Sequence, residues 1–379
     1  MSTQTLITGN RDTRQTLVVV FLRGAADGLS MVAPLEDDHY HRARPRIAVK
    51  KKEAIPLDGF FGLNPLLADL KPAWDEGELC IVHGAGSEDQ TRSHFVAQEF
   101  MEHGGVAAGG WLGRFLRVRP EPVSGALACV AVGKTLPEVL LGAPNATVMQ
   151  SLDDFTLGSG AASFSPELER LYQLDGGSLQ AAASDTFDAL RRIDSMRQAQ
   201  PAAAHGAAYG DDEFGESLRQ VARLIKADVG LEVASVDLDN WDTHWTQQSW
   251  IEPLLRRLNS GLAAFRQDLG PRFAQTTVVV MTEFGRRVAE NSAFGTDHGR
   301  GGVLFAMGGG VKGGRVFGED GQPGLWRGLA EERLEGPGDL PVFNNYRNVL
   351  APILHRHGGP ADLSKVFPDF TLKPLDLYG

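Results

Sequence analysis

The chain of 379 residues reads as an α/β protein: a doubly wound, largely parallel central sheet with helices on both faces and a cap inserted mid-chain. Short, continuously apolar, β-branched runs alternate with longer amphipathic stretches, and such runs form strands buried on both faces of a parallel sheet. Each run opens into a loop rich in Gly, Asp, Ser, Thr or His, where open α/β sheets place functional side chains. The length allows a single domain, with a core of about 12–104 and 231–375 around an insertion of about 105–230.

The first strand is Thr16-Leu-Val-Val-Val-Phe-Leu22, which delivers Asp27 at its carboxyl end. A helix around Pro65–Glu76 leads to a second strand, Glu78–His83, and then to a hydroxyl- and acid-rich loop, residues 87–94, entering a helix at Val96–Glu102. The insertion holds a strand at Leu127–Val132 and helices near Pro166–Leu174, Asp185–Gln198 and Glu213–Ala227. The Ala/Gly-rich stretch Gln198–Gly210 reads as a mobile linker or lid. A third core strand, Leu231–Leu238, delivers Asp242 and His244 ahead of a helix at Ile251–Leu269; a fourth, Thr276–Met281, delivers Glu283; a fifth, Val303–Met307, ends in the glycine-rich turn 308–314.

The formal net charge of −11 excludes an overall electrostatic footprint for nucleic acid or anionic lipid. The early basic cluster from Arg42 to Lys52 carries no interleaved stacking aromatics and reads as a solvated face. Two cysteines, Cys80 and Cys129, sit inside strand-like runs, so no disulfide framework and no oxidising compartment is indicated. No stretch reaches the roughly 20 apolar residues of a membrane span, and residues 1–10 lack a signal-peptide pattern. As written the chain reads as cytoplasmic, with export implied if its start is trimmed.

Chemistry concentrates in two acid–histidine pairs, Asp242-Thr-His244 and Asp297-His298, which flank Thr282-Glu-Phe-Gly-Arg286. Carboxylate and neutral imidazole are the donors a borderline-hard divalent cation takes, and such a cation acidifies a coordinated hydroxyl. Parallel strands bring their carboxyl ends to one edge, so Asp27, the 87–94 loop, Asp242, His244 and Glu283 are expected to converge there. Arg286, beside Glu283, is either an oxyanion-steering group or an ion-pairing one.

The blocks Phe21-Leu-Arg-Gly-Ala-Ala-Asp-Gly-Leu-Ser30, Arg92-Ser-His-Phe-Val-Ala-Gln98, Trp241-Asp-Thr-His244, Glu283-Phe-Gly-Arg286 and Gly295-Thr-Asp-His-Gly-Arg-Gly-Gly302 together resemble the bacterial family known as domain of unknown function 1501. That family resembles the alkaline phosphatase and sulfatase superfamily. The resemblance implies an alkaline-phosphatase-like fold and a metal-dependent hydrolase or transferase acting on a small phosphate or sulfate ester through a Ser or Thr hydroxyl. One or two divalent metals (Zn, Mn or Mg) are implied, with Asp27, Asp242, His244, Glu283, Asp297 and His298 as ligands. Ser93 is the first choice of attacking hydroxyl and Thr91 the second, with His94 as the neighbouring base. Arg92, Arg286 and Arg300 are expected to meet the anionic substrate. The superfamily usually spaces its mid-chain pair Asp-x-x-x-His; here it is Asp-x-His, which aims both side chains to one face only in extended backbone. Either Asp297-His298 is the displaced late pair, or Glu283 replaces it and His298 is the final histidine. Neither cysteine lies in a Cys-x-Pro/Ala-x-Arg string, so a formylglycine sulfatase is not expected. The alternatives are a non-catalytic carbohydrate- or envelope-binding protein on the same fold, and a phosphomutase.

Overall fold

The computed structural model describes residues 15–378 except 122–124, 155–163, 175–176 and 200–201; the opening segment read above for export signals lies outside these. Eight strands build the main path of the central sheet: β1 (Thr16–Leu22), β2 (Leu79–Gly86), β3 (Cys129–Val132), β4 (Ala146–Met149), β5 (Val233–Leu238), β6 (Thr276–Thr282), β7 (Gly302–Gly308) and β8 (Arg315–Phe317). Their spatial order is β8-β2-β7-β6-β1-β5-β3-β4. Every neighbouring pair is parallel except those made by β7, which runs antiparallel to both β6 and β2. The carboxyl ends of β1, β2, β5 and β6 therefore share one edge with the amino end of β7.

β1 lies at the centre because both of its faces are apolar. Its side chains alternate across the sheet: Val18, Val20 and Leu22 join one buried cluster and Leu17, Val19 and Phe21 the other. The helices include α1 (His94–His103), α2 (Trp111–Val118), α3 (Ser178–Ala199), α4 (Glu213–Lys226), α5 (Gln247–Leu269) and α6 (Tyr346–Arg356), besides a nine-residue helix at Ser165–Gln173 and shorter ones. The first cluster is closed by α4 and α5 through Leu218, Val221, Leu255 and Leu258. On the other face α2 and α6 supply Trp111, Phe115, Val349 and Leu350.

Residues 105–230 do not form a layer set wholly over this core. Their strands β3 and β4 continue the central sheet, with Val130 beside Ala234 on β5, so this part of the expected insertion is built into the fold. Nor is the described part of the Ala/Gly-rich stretch free of the body: Ala204 N–H donates to Asp268 Oδ1 at 2.5 Å and Tyr209 Oη to Asp268 Oδ2 at 3.1 Å. Both cysteines are buried in strands and unpaired, as their apolar neighbours require. Among the described residues no helix is long and apolar enough to cross a membrane.

At the carboxyl end of β1, Asp27 is 1% exposed and accepts two hydrogen bonds from the fully buried Arg44, at 2.6 and 3.0 Å, with further donors from Ser30 and Gln247. Burial alone would raise its carboxyl pKa, but the Arg44 guanidinium and these hydrogen bonds hold it below the ordinary value. The charge is therefore kept in the folded chain and its pairing is what makes burial tolerable. Asp27→Asn is expected to destabilise the protein by about 3–5 kcal/mol in urea unfolding at neutral pH, because Arg44 is left buried and unpaired. Since the folded pKa is depressed, the stabilisation is complete above the unfolded carboxylate value of about 3.9 and lost as pH falls through the lower folded value. The gap between wild type and variant must accordingly narrow in acid.

Candidate metal centre

Three loops and the start of α1 meet at the shared strand edge, and their backbones pack too closely for side chains. Gly24 has φ +114°, and a Cβ there would lie 2.7 Å from the amide nitrogen of Asp242; a Cβ on Gly295 would lie 2.2 Å from the carbonyl of His244. Glycine at these places is a condition of the loops touching. Ala25, Asn240, Thr246 and Phe294, all in the same loops, also take positive φ without being glycine. Such strained conformations persist where surrounding contacts over-determine them, and they concentrate at functional sites.

Those contacts centre on Arg286. Its side chain is wholly buried, and it donates to the carbonyls of Ala25 (2.7 Å), Thr296 (3.1 Å), Gly24 (2.6 Å) and Trp241 (3.0 Å) and to Asp242 Oδ1 (2.8 Å). Arg286 thus fastens the loops after β1 and β5 and before β7 to its own segment after β6. Wholly buried, with all three nitrogens bonded to these loops, it is turned to the fold, where the sequence reading offered it to a substrate or to an ion pair.

Around Asp242 stand three imidazoles. His244 Nε2 is 2.9 Å, His298 Nε2 3.2 Å and His94 Nε2 3.4 Å from Asp242 Oδ1, and His244 and His298 bring their Nε2 atoms to 2.8 Å of one another. Among the described residues, His94, Asp242 and His298 are a group whose donor atoms all lie within 4.8 Å of each other. The opposite ring nitrogens of His94 and His298 are occupied, and that of His244 faces a carboxylate. His94 Nδ1 is 2.8 Å from Glu283 Oε1, His298 Nδ1 is 2.8 Å from the Arg92 carbonyl, and His244 Nδ1 is 3.6 Å from Asp297 Oδ1. A carbonyl can only accept, so His298 carries its proton on Nδ1 and turns a lone pair inward. The same tautomer follows for His94 from its carboxylate partner. His94 Nε2 is buried and has no hydrogen-bond partner.

These donors fit a divalent cation. His244 Nε2 donates to the His298 lone pair at 2.8 Å, and a cation takes the place of such a proton between imidazoles. Tetrahedral ligands with bonds of ~2.0–2.1 Å lie about 3.4 Å apart, close to the separations from Asp242 Oδ1. Asp242 and Glu283 against Arg286 leave one negative charge when the histidines are neutral, so a divalent cation makes the cluster net positive and receptive to an anion. Burial would raise the Asp242 carboxyl, but Arg286 and then His298 bring it down to about 2, which keeps it ionised. The Glu283 hydrogen bond raises the His94 pKa, whereas burial and then Arg286 lower that of His298.

The remaining expected site residues fall in distinct places. Asp27, consumed by Arg44, is set apart from the cluster. Glu283 is wholly buried, accepts from His94, Gln98 and the Gly24 amide on Oε1 and from Thr282 on Oε2, and so orients His94 from behind. Asp297 is likewise behind His244, held by Arg287 at 3.1 Å and Asn291 at 3.1 Å. Ser93 is exposed at the amino end of α1 and makes no capping bond, while the Thr91 hydroxyl accepts from the Ser93 amide. Arg92 donates to the His298 carbonyl and to Asp339, both at 2.6 Å. Arg300 pairs with Glu335 and lines a different cleft with Ser87 and Asn345. Gln98, Asn291 and Asp339 support the cluster but were not singled out from sequence. Gln98, one turn after His94 on α1, was recoverable from helical spacing alone.

The family described as "Protein of unknown function (DUF1501)" matches residues 80–326, and the chain belongs to it. Among solved structures, alkaline phosphatase from the Antarctic bacterium TAB5 aligns over 78% of this chain and 92% of that one, at 9% identity and a TM-score of 0.33, a likeness too remote to carry argument. No curated protein matches the chain significantly.

Replacing Glu283 by Gln removes the anion behind His94, and outer partners of metal-bound histidines typically contribute 10–100-fold in affinity, so a loss of roughly that size is expected. Competition for Zn²⁺ against a chromophoric chelator measures it; unchanged affinity would deny Glu283 this orienting role.

Proposed function

We propose that the protein is a metal-dependent hydrolase or transferase of a small phosphate or sulfate ester, with an alkaline-phosphatase-like arrangement of its strand-edge site. The observation that carries this reading is the buried Nε2 of His94, without a hydrogen bond, gathered with Asp242 and His298. Asp242, His94, His244 and His298 are the proposed ligands, Glu283 and Asp297 stand behind them, and the donor set suits one cation. A bound divalent cation supplies Lewis-acid polarisation of the ester and acidifies a hydroxyl beside it.

The chain's own contributions are positional. α1 starts with Ser93 and His94 together, so the helix that aims His94 inward also presents an exposed hydroxyl at its first turn. Ser93 is the proposed attacking group. Neither thiol competes: burial pushes Cys80 and Cys129 up to about 12, and a protonated thiol is a poor nucleophile. A mobile water remains the alternative attacker, and Ser93→Ala distinguishes the two.

With Zn²⁺ or Mn²⁺ supplied, turnover of an aryl phosphate or aryl sulfate is expected to fall at least about 10²-fold in Ser93→Ala with cation content unchanged. In His298→Ala both turnover and bound cation should fall. Wild-type protein that holds the cation yet turns over neither ester would sink the catalytic reading; full activity in Ser93→Ala would assign the attack to water.

A further inference from the structure

His94, Gln98 and Glu102 follow one another at four-residue spacing along α1 and so share one face of it. His94 points to the metal centre. Gln98 donates to Glu283 at 2.9 Å and accepts from Arg23 at 3.3 Å, and Glu102 pairs with Arg23 at 3.0 Å. Beyond Gln98 this face borders a cleft of about 560 Å³ between α1 and the segment 135–138. A ligand in the cleft is therefore one side chain removed from the carboxylate that holds His94.

The donor and acceptor inventory of the cleft restricts what enters. Its two strong donors are largely committed: Arg23 gives Nε to Asp237 and both terminal nitrogens to Glu102, and the Gln98 amide donates to Glu283. Acceptors remain. Asp237 Oδ1 has no partner, the Glu99 side chain is 63% exposed with only His103 near it at 3.9 Å, and Glu138 is half exposed with one contact to His103. Carboxylates outnumber uncommitted donors here, so a full anion is disfavoured, whereas a group rich in O–H finds the Glu99 and Glu138 carboxylates and the Thr135 hydroxyl. The same cleft carries Phe95, Leu136 and Pro137, and Phe95 is 86% exposed although it adjoins a proposed ligand. An apolar platform beside several acceptors suits a ring with a C–H face and hydroxyls at its edge. An organic ammonium prefers a cage of several aromatic faces, and Phe95 is the single aromatic residue lining this cleft.

We infer that the cleft is a binding site for a pyranose unit, seated on Phe95 with its hydroxyls donating to Glu99 and Glu138 and accepting from Thr135. Resting on the ester reading above, that sugar is the alcohol half of the substrate.

Saturation-transfer NMR on the full chain tests the site without any turnover. The probes are methyl glucopyranoside, methyl galactopyranoside and N-acetylglucosamine, with choline as the competing chemistry. Transfer to ring C–H protons of at least one sugar is expected, weakened about fivefold or more in Phe95→Ala, reduced in Glu99→Gln, and retained in Phe95→Trp. The signal should persist in His298→Ala and after chelation, so failure of the metal reading and failure of this one give different results. No transfer to any of the three sugars, transfer indifferent to Phe95→Ala, or transfer to choline in their place would overturn the proposal.

Discussion

The whole site hangs on the buried guanidinium of Arg286. Four carbonyls and one carboxylate oxygen from three loops converge on it, and no neutral side chain offers that many donors in one rigid plane. Its charge also explains Asp242. A half-exposed aspartate beside a buried arginine stays ionised well into acid, which keeps a negative ligand at the mouth of the cluster. Lysine would keep the charge but lose the fork, and with it the simultaneous hold on Gly24, Trp241 and Thr296.

From this fastening follows a division of labour among the acidic residues. Glu283 and Asp297 face away from the centre and set the histidine rings, Asp242 faces into it, and Asp27 serves the fold through Arg44. Four acids that look alike in sequence thus carry three different duties, decided by which cation or imidazole each one meets. Carboxylate–imidazole pairing of this kind fixes tautomers and raises ligand basicity. It also accounts for the buried nitrogen of His94: its partner on the other side makes the inward lone pair available.

Much of this was legible in the chain. Six apolar runs placed six of the main strands to within a few residues, because a strand buried on both faces needs uninterrupted apolarity and such runs are conspicuous. The convergence of the loops followed from parallel strand direction, and the antiparallel β7 brought His298 to the same edge by its amino end. What sequence did not reveal is pairing between distant segments. Arg44 is 17 residues from Asp27 and Asp339 lies 247 from Arg92, and no local pattern announces either. For the same reason Arg286 read as a substrate-facing group, since its partners are mostly backbone carbonyls. The strand β3 was read from its apolar run but assigned to the insertion, and β4 was hidden by its shortness, so their membership of the central sheet emerged only in three dimensions.

In the proposed site three Nε2 atoms and one carboxylate oxygen gather a single divalent cation at this edge. X-ray absorption at the zinc edge, on the full chain loaded with one equivalent of Zn²⁺, tests it most directly. One tightly held ion is expected, with nitrogen and oxygen neighbours at ~2.0–2.1 Å and outer-shell scattering from three imidazole rings. An ion surrounded by water oxygens alone, or bound without imidazole scattering, would contradict it.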